Sequence, residues 1–176
     1  KQDIFELERH IRTLELQMKS QSGGELEQTL ELYNRLNTEF EQKMGELKEK
    51  DGQISVDVEV TNTGDVAGKD VVEVYYKPPY TNGGIEKSSA NLIEFAKTDL
   101  LQPGESQTVT VTFSIEDMAS YDENNAKAYV LEKGDYVISI NSDSHTVLDQ
   151  KTYTADTDVV YEEENKRVSD DTAATN

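Results

Sequence analysis

A mainly β fold, two packed sheets preceded by a helical segment, is what this sequence predicts, on three observations. Apolar and polar residues alternate with period two along several stretches after residue 53. Turn residues separate those stretches at short intervals, and many short strands with regular turn signals describe a sandwich. The first 37 residues instead repeat their apolar positions every three or four residues.

Residues 1–37 read as helix, with Ile4, Leu7, Ile11, Leu14 and Met18 forming a heptad seam among charged neighbours. Gly23 and Gly24 then weaken a helix by roughly 1 kcal/mol each, while Ser22 and Glu25 have capping-box spacing for a second one. Its apolar series, Leu26, Leu30, Tyr33 and Leu36, is out of phase with the first. The segment is therefore expected to be a coiled coil or a helical hairpin. Isolated helices this short are marginal in water, so the seam is expected to pack within the chain or to drive self-association through residues 1–37.

Strand patterning begins with Ile54–Val60, where alternate residues are valine or isoleucine. The turn Asn62-Thr63-Gly64-Asp65, with Gly68, allows positive φ before the strand Val71–Tyr76. Pro78-Pro79 ends that strand and Thr81-Asn82-Gly83-Gly84 makes a loop. A short strand at Asn91–Ala96 leads to Gln102-Pro103-Gly104-Glu105, where Pro103 presets φ and Gly104 is free to be left-handed. Thr108–Phe113 alternates again. Ala128–Glu132 and Tyr136–Ile140 flank Lys133-Gly134-Asp135 as a hairpin, and Thr146–Tyr153 adds a last strand. On this phase Val58, Val60, Val72, Val74, Val111 and Ile138 face the core. Residues 156–176 lose periodicity and read as an acidic linker.

Charge and composition exclude several function classes. Lys+Arg is 17 against Asp+Glu 36, a net charge of −19 that repels phosphate backbones and anionic lipid, so no nucleic-acid or membrane partner is expected. There is no cysteine, no EF-hand spacing and no apolar run of membrane-spanning length. His10 and His145 are the only histidines, too few for a zinc site without cysteine, and Gly83-Gly84 lacks the lysine of a phosphate loop. No cofactor is expected. The chain opens on Lys1 rather than Met and has no signal-peptide core, which suggests a fragment or fusion and leaves bacterial cytoplasm and secretion both open.

Four blocks carry a family resemblance: Val58-Glu59-Val60-Thr61-Asn62-Thr63-Gly64-Asp65-Val66-Ala67-Gly68-Lys69-Asp70-Val71-Val72, Leu92-Ile93-Glu94-Phe95-Ala96-Lys97, Leu101-Gln102-Pro103-Gly104-Glu105-Ser106 and Gly134-Asp135-Tyr136. In this order they resemble the fibronectin type III-like domain of family 3 glycoside hydrolases, the β-glucosidases and β-xylosidases. The resemblance implies a fibronectin III/immunoglobulin-like β-sandwich over residues 38–155. It also implies a first strand from Phe40, although Phe40, Met44 and Leu47 equally continue a helical spacing. Tyr136 is either the tyrosine that closes a sandwich corner or an ordinary core aromatic.

The family's Asp nucleophile and Glu acid/base lie on other domains, including an α/β barrel that alone needs about 250 residues. The nucleophile's Ser-Asp-Trp motif is absent, Ser169-Asp170-Asp171 lacks its aromatic, and no catalytic residue carries over. The implied role is a non-catalytic structural accessory domain whose partners are the catalytic domains of a parent glycosidase. The competing role is a carbohydrate-binding or surface-adhesion module on a helical stalk. Tyr75, Tyr76 and Tyr80, beside Pro78-Pro79, are its candidate sugar contacts, with strand packing the alternative use of those rings.

Overall fold

The computed structural model describes residues 39–162 and 164–168. Residues 1–37, expected to be helical with the Ile4–Met18 seam, and Ser169-Asp170-Asp171 lie outside the described residues. Ten strands follow in order: β1 Phe40–Lys50, β2 Gln53–Asn62, β3 Val71–Lys77, β4 Asn91–Lys97, β5 Ser106–Ser114, β6 Ser120–Asp122, β7 Ala128–Leu131, β8 Gly134–Asn141, β9 Val147–Ala155 and β10 Val159–Tyr161. They form a three-stranded sheet β1-β2-β5, a four-stranded sheet β4-β3-β8-β9 and a small sheet β10-β7-β6. Three strands against four is the arrangement of a fibronectin III/immunoglobulin-like sandwich.

The chain divides into two compact units. Of the described residues, the larger holds Gln42–Val60, Asp70–Thr98 and those from Gln107 to Val168. Its core follows from strand periodicity: Ile54, Val56, Val58 and Val60 of β2, Val72 and Val74 of β3, Val111 of β5 and Ile138 and Ile140 of β8 are all buried. Every one of the six valines and isoleucines read as core-facing is among them. β1 adds polar ties to the rest of the unit. Gln42 Nε2 donates to Asp70 Oδ2 at 2.8 Å, the Met44 amide donates to Asp149 Oδ2 at 3.1 Å, and Lys151 pairs with Glu46 at 2.9 Å.

Phe40 does begin a strand rather than continue a helix. The cause is a turn that the sequence reading passed over. Asp51 and Gly52 alone separate β1 from β2, with φ of 52° and 77°, the conformation that two-residue hairpins of right-twisted strands require.

Two other expectations are corrected. β7 and β8 do not form a hairpin: β7 pairs with β6 and β10, whereas β8 pairs with β3 and β9. Glu132-Lys133 is a passage from one sheet to another, and turn chemistry alone carries no information about which strand becomes the neighbour. Gly134 completes the passage at φ 135°, where an added Cβ would stand 3.1 Å from Pro79 Cβ. The stretch read as acidic linker contains β10, whose Val160 lies opposite Val130. Arg167 then stacks 3.5 Å above the Tyr129 ring, and the Val168 amide donates to Glu116 Oε1 at 2.9 Å.

Of the described residues, the smaller unit holds Glu39–Glu41, Thr61–Lys69 and Asp99–Ser106. Gln102–Glu105 is a type II turn, with Gly104 at φ 78° after Pro103 and a 2.9 Å bond from the Glu105 amide to Gln102 O. Gly64 and Gly68, expected to supply positive φ, do not. A side chain shapes that loop instead. Asn62 is fully buried; its Nδ2 donates to Val66 O at 2.8 Å and Leu101 O at 2.9 Å, and its Oδ1 accepts from the Gly64 amide at 3.0 Å.

Candidate functional site

Tyr136 closes a corner of the larger unit. It is buried, and its hydroxyl donates to Glu132 O at 3.0 Å, so the corner and core readings both hold. Burial, and then the Glu132 carboxylate, push its phenol well above the ordinary range. The same Glu132 pairs with Lys87, whose side chain is 2% exposed and whose Nζ donates to Pro79 O at 2.7 Å. A buried lysine needs such partners. They anchor the long connection between β3 and β4 to the corner.

The three candidate tyrosines are not gathered into one platform. Tyr75 and Tyr76 are consecutive in β3 and so project from opposite faces of the sheet, each only 9% exposed. Tyr76 points to the core side with Val72 and Val74, and burial raises its phenol. Tyr75 lies on the outer side, where its hydroxyl donates to Glu73 Oε2 at 3.0 Å. Tyr80, in the connection, is 52% exposed.

The outer face around Tyr75 is where the structure builds a concavity. A cleft of about 440 Å³ is lined by Tyr75, Ser88, Ser139, Asn141, His145 and Gln150, among others. Tyr75, Ser139 and Gln150 stand in one cross-strand row, because Tyr75 pairs with Ser139 and Ser139 with Gln150. Two hydrogen-bonded loops make the rim. Asn91 Nδ2 donates to Ser88 O at 3.1 Å, and Asp143 Oδ1 accepts from the amides of His145 and Thr146 at 2.8 and 2.9 Å. Sequence reasoning named Tyr75 and Tyr76, which both border the cleft, but missed the polar lining residues, which sit at positions that look like ordinary solvent-facing ones.

A second cleft, about 410 Å³, lies beneath the Asp51-Gly52 turn and is lined by Glu116, Tyr153, Asp156 and Tyr161 among others. Glycoside hydrolysis needs a carboxyl group raised to serve as acid. Asp57, Asp122 and Asp143 are instead held below the ordinary carboxylate range. The chief causes are the bond from Lys48 to Asp57, the Asn125 amide on Asp122 and the His145 amide on Asp143. Among the described residues no group of three or more His, Cys, Asp or Glu is placed to hold a metal ion.

Comparison with known proteins agrees with this geometry. Residues 70–144 match the Fn3-like family, the fibronectin type III-like domain. Over 86 residues the chain is 49% identical to β-glucosidase A of Butyrivibrio fibrisolvens, covering 47% of this chain and 10% of that protein. Over 135 residues it is 36% identical to a β-glucosidase of Ruminococcus albus, covering 74% of this chain and 14% of that protein. Among solved structures, β-glucosidase 3B from Thermotoga neapolitana in complex with α-D-glucose superposes with a TM-score of 0.63 at 31% identity, over 71% of this chain and 17% of that one. A β-glucosidase from Paenibacillus barengoltzii gives 0.63 at 37% identity, over 72% and 15%. The chain thus spans only a small part of the length of each protein it matches.

Proposed function

We propose that this chain, which carries a fibronectin type III-like domain of the kind found in family 3 glycoside hydrolases, is a non-catalytic accessory module that buttresses the catalytic domains of a β-glucosidase-type parent. The observation that carries this reading is the extent of the matches. They cover 47% and 74% of this chain yet only 10% and 14% of the two bacterial β-glucosidases, so the bulk of those enzymes has no counterpart here.

A module of this kind contributes stability rather than chemistry. Excising the matched 135-residue segment from the Ruminococcus albus enzyme should lower its Tm, and grafting residues 39–168 of this chain in its place should recover most of the loss. An enzyme that keeps its Tm and its activity without the segment would overturn the buttress role. The purified chain should not turn over aryl glucosides or xylosides. Turnover that survives repurification would overturn the non-catalytic reading.

A further inference from the structure

We propose that the cleft on the outer face of the four-stranded sheet binds a neutral carbohydrate of one or two pyranose rings. The inference does not rest on the accessory role. Its volume, about 440 Å³, lies within the range of small-molecule sites. Its lining chemistry selects the ligand. Although the chain holds 36 Asp+Glu, none of the lining residues is acidic; Lys77 is the one ammonium group, and serine, asparagine, glutamine and histidine predominate. Uncharged hydroxyl and amide groups in a cleft match the hydroxyls of a sugar, and Tyr75 with Val137 and Val147 adds apolar surface for the ring's C–H face.

One polar atom on this face has no partner. Asn141 is 3% exposed, and its Oδ1 accepts no hydrogen bond from the described residues. An acceptor left open is unfavourable, and a turn of the Asn141 side chain toward the cleft would let a ligand hydroxyl fill it. The rim is held before any ligand arrives, by the Lys87 anchor on one side and the Asp143 turn on the other, so little ordering remains to oppose binding. A peptide strand is the poorer fit. β3 and β8 already pair on both edges, which leaves only the outer edge of β9 for a further strand. The net charge of −19 disfavours a phosphate ligand.

Amide chemical shifts of the full 176-residue chain, titrated with cellobiose and xylobiose, test the proposal. Glycerol and a short neutral peptide serve as controls. Saturable shifts confined to the neighbourhood of Ser88, Asn141, His145 and Gln150, seen with a disaccharide alone, are expected. Gln150→Ala, at an exposed position, should weaken binding about tenfold through lost hydrogen bonds, and Ser88→Trp should block the mouth. Both variants should keep the parent Tm, which separates loss of binding from loss of fold. Shifts absent from these amides, reproduced by glycerol, produced by the peptide alone, or unchanged in both variants would each overturn the proposal. The excision experiment reads a different protein's Tm, so either conclusion can fail alone.

Discussion

Asn62 uses every polar atom it has. Its amide donates to Glu105 O at 2.9 Å, its carbonyl accepts from the Gly104 amide at 2.8 Å, and its side chain serves Val66, Leu101 and Gly64. Asn62→Ala strands buried carbonyls and should cost about 3 kcal/mol in urea unfolding, whereas the exposed neighbour Thr63→Ala should be close to neutral. Asn62→Asp should be worse, since it turns a carboxylate oxygen toward two carbonyls. Tyr136 adds a pH dependence. Its phenol is raised above the ordinary 10.0, so above that pH the unfolded chain releases a proton that the folded chain keeps. Stability should be level through neutrality and fall as pH rises past 10, with Tyr75 and Tyr76, also raised, sharing the decline. Tyr136→Phe should flatten part of that slope and cost about 1 kcal/mol at pH 7.

Strand phase is tested at β2. Val60 is fully buried, and Val60→Ala should cost about 1–3 kcal/mol by denaturant unfolding, against a negligible change for the exposed Glu59→Ala. At the first hairpin Gly52 holds φ 77° with open space around its Cα, so Gly52→Ala should cost about 1 kcal/mol from backbone strain alone. Period-two burial explains why β2, β3, β5 and β8 were legible in the sequence: one face of each is nearly all valine, isoleucine or aromatic. The small sheet was not legible, because β6 and β10 have three residues each and leave no period to detect. Gly64 misled for a different reason. Glycine in a loop suggests positive φ, yet an asparagine side chain two residues earlier sets that turn. The cleft was illegible in principle, since Tyr75, Ser88, Asn141 and Gln150 meet only after β3, β8 and β9 pair.

Across the molecule, consecutive strands are often not neighbours. β3 sits between β4 and β8, and the Val74–Ile140 pair joins residues 140 − 74 = 66 positions apart. Refolding should therefore be slow for a domain of this size, in the millisecond-to-second range by stopped-flow, with a single exponential phase. Val74→Ala, in the central strand, should slow refolding if the β3–β8 pairing forms in the transition state. Faster unfolding with unchanged refolding would place that pairing later.

The passage of β8 away from β7 has its last effect on the ribosome. β3 ends at Lys77 and its second neighbour is complete only at Asn141, which is 141 − 77 = 64 residues further on. At roughly 5–20 residues per second, synthesis takes about 3–13 s to cover that distance. Throughout that interval β3 has at least one open edge, and the nascent chain presents unpaired valines and tyrosines to whatever surrounds the exit tunnel.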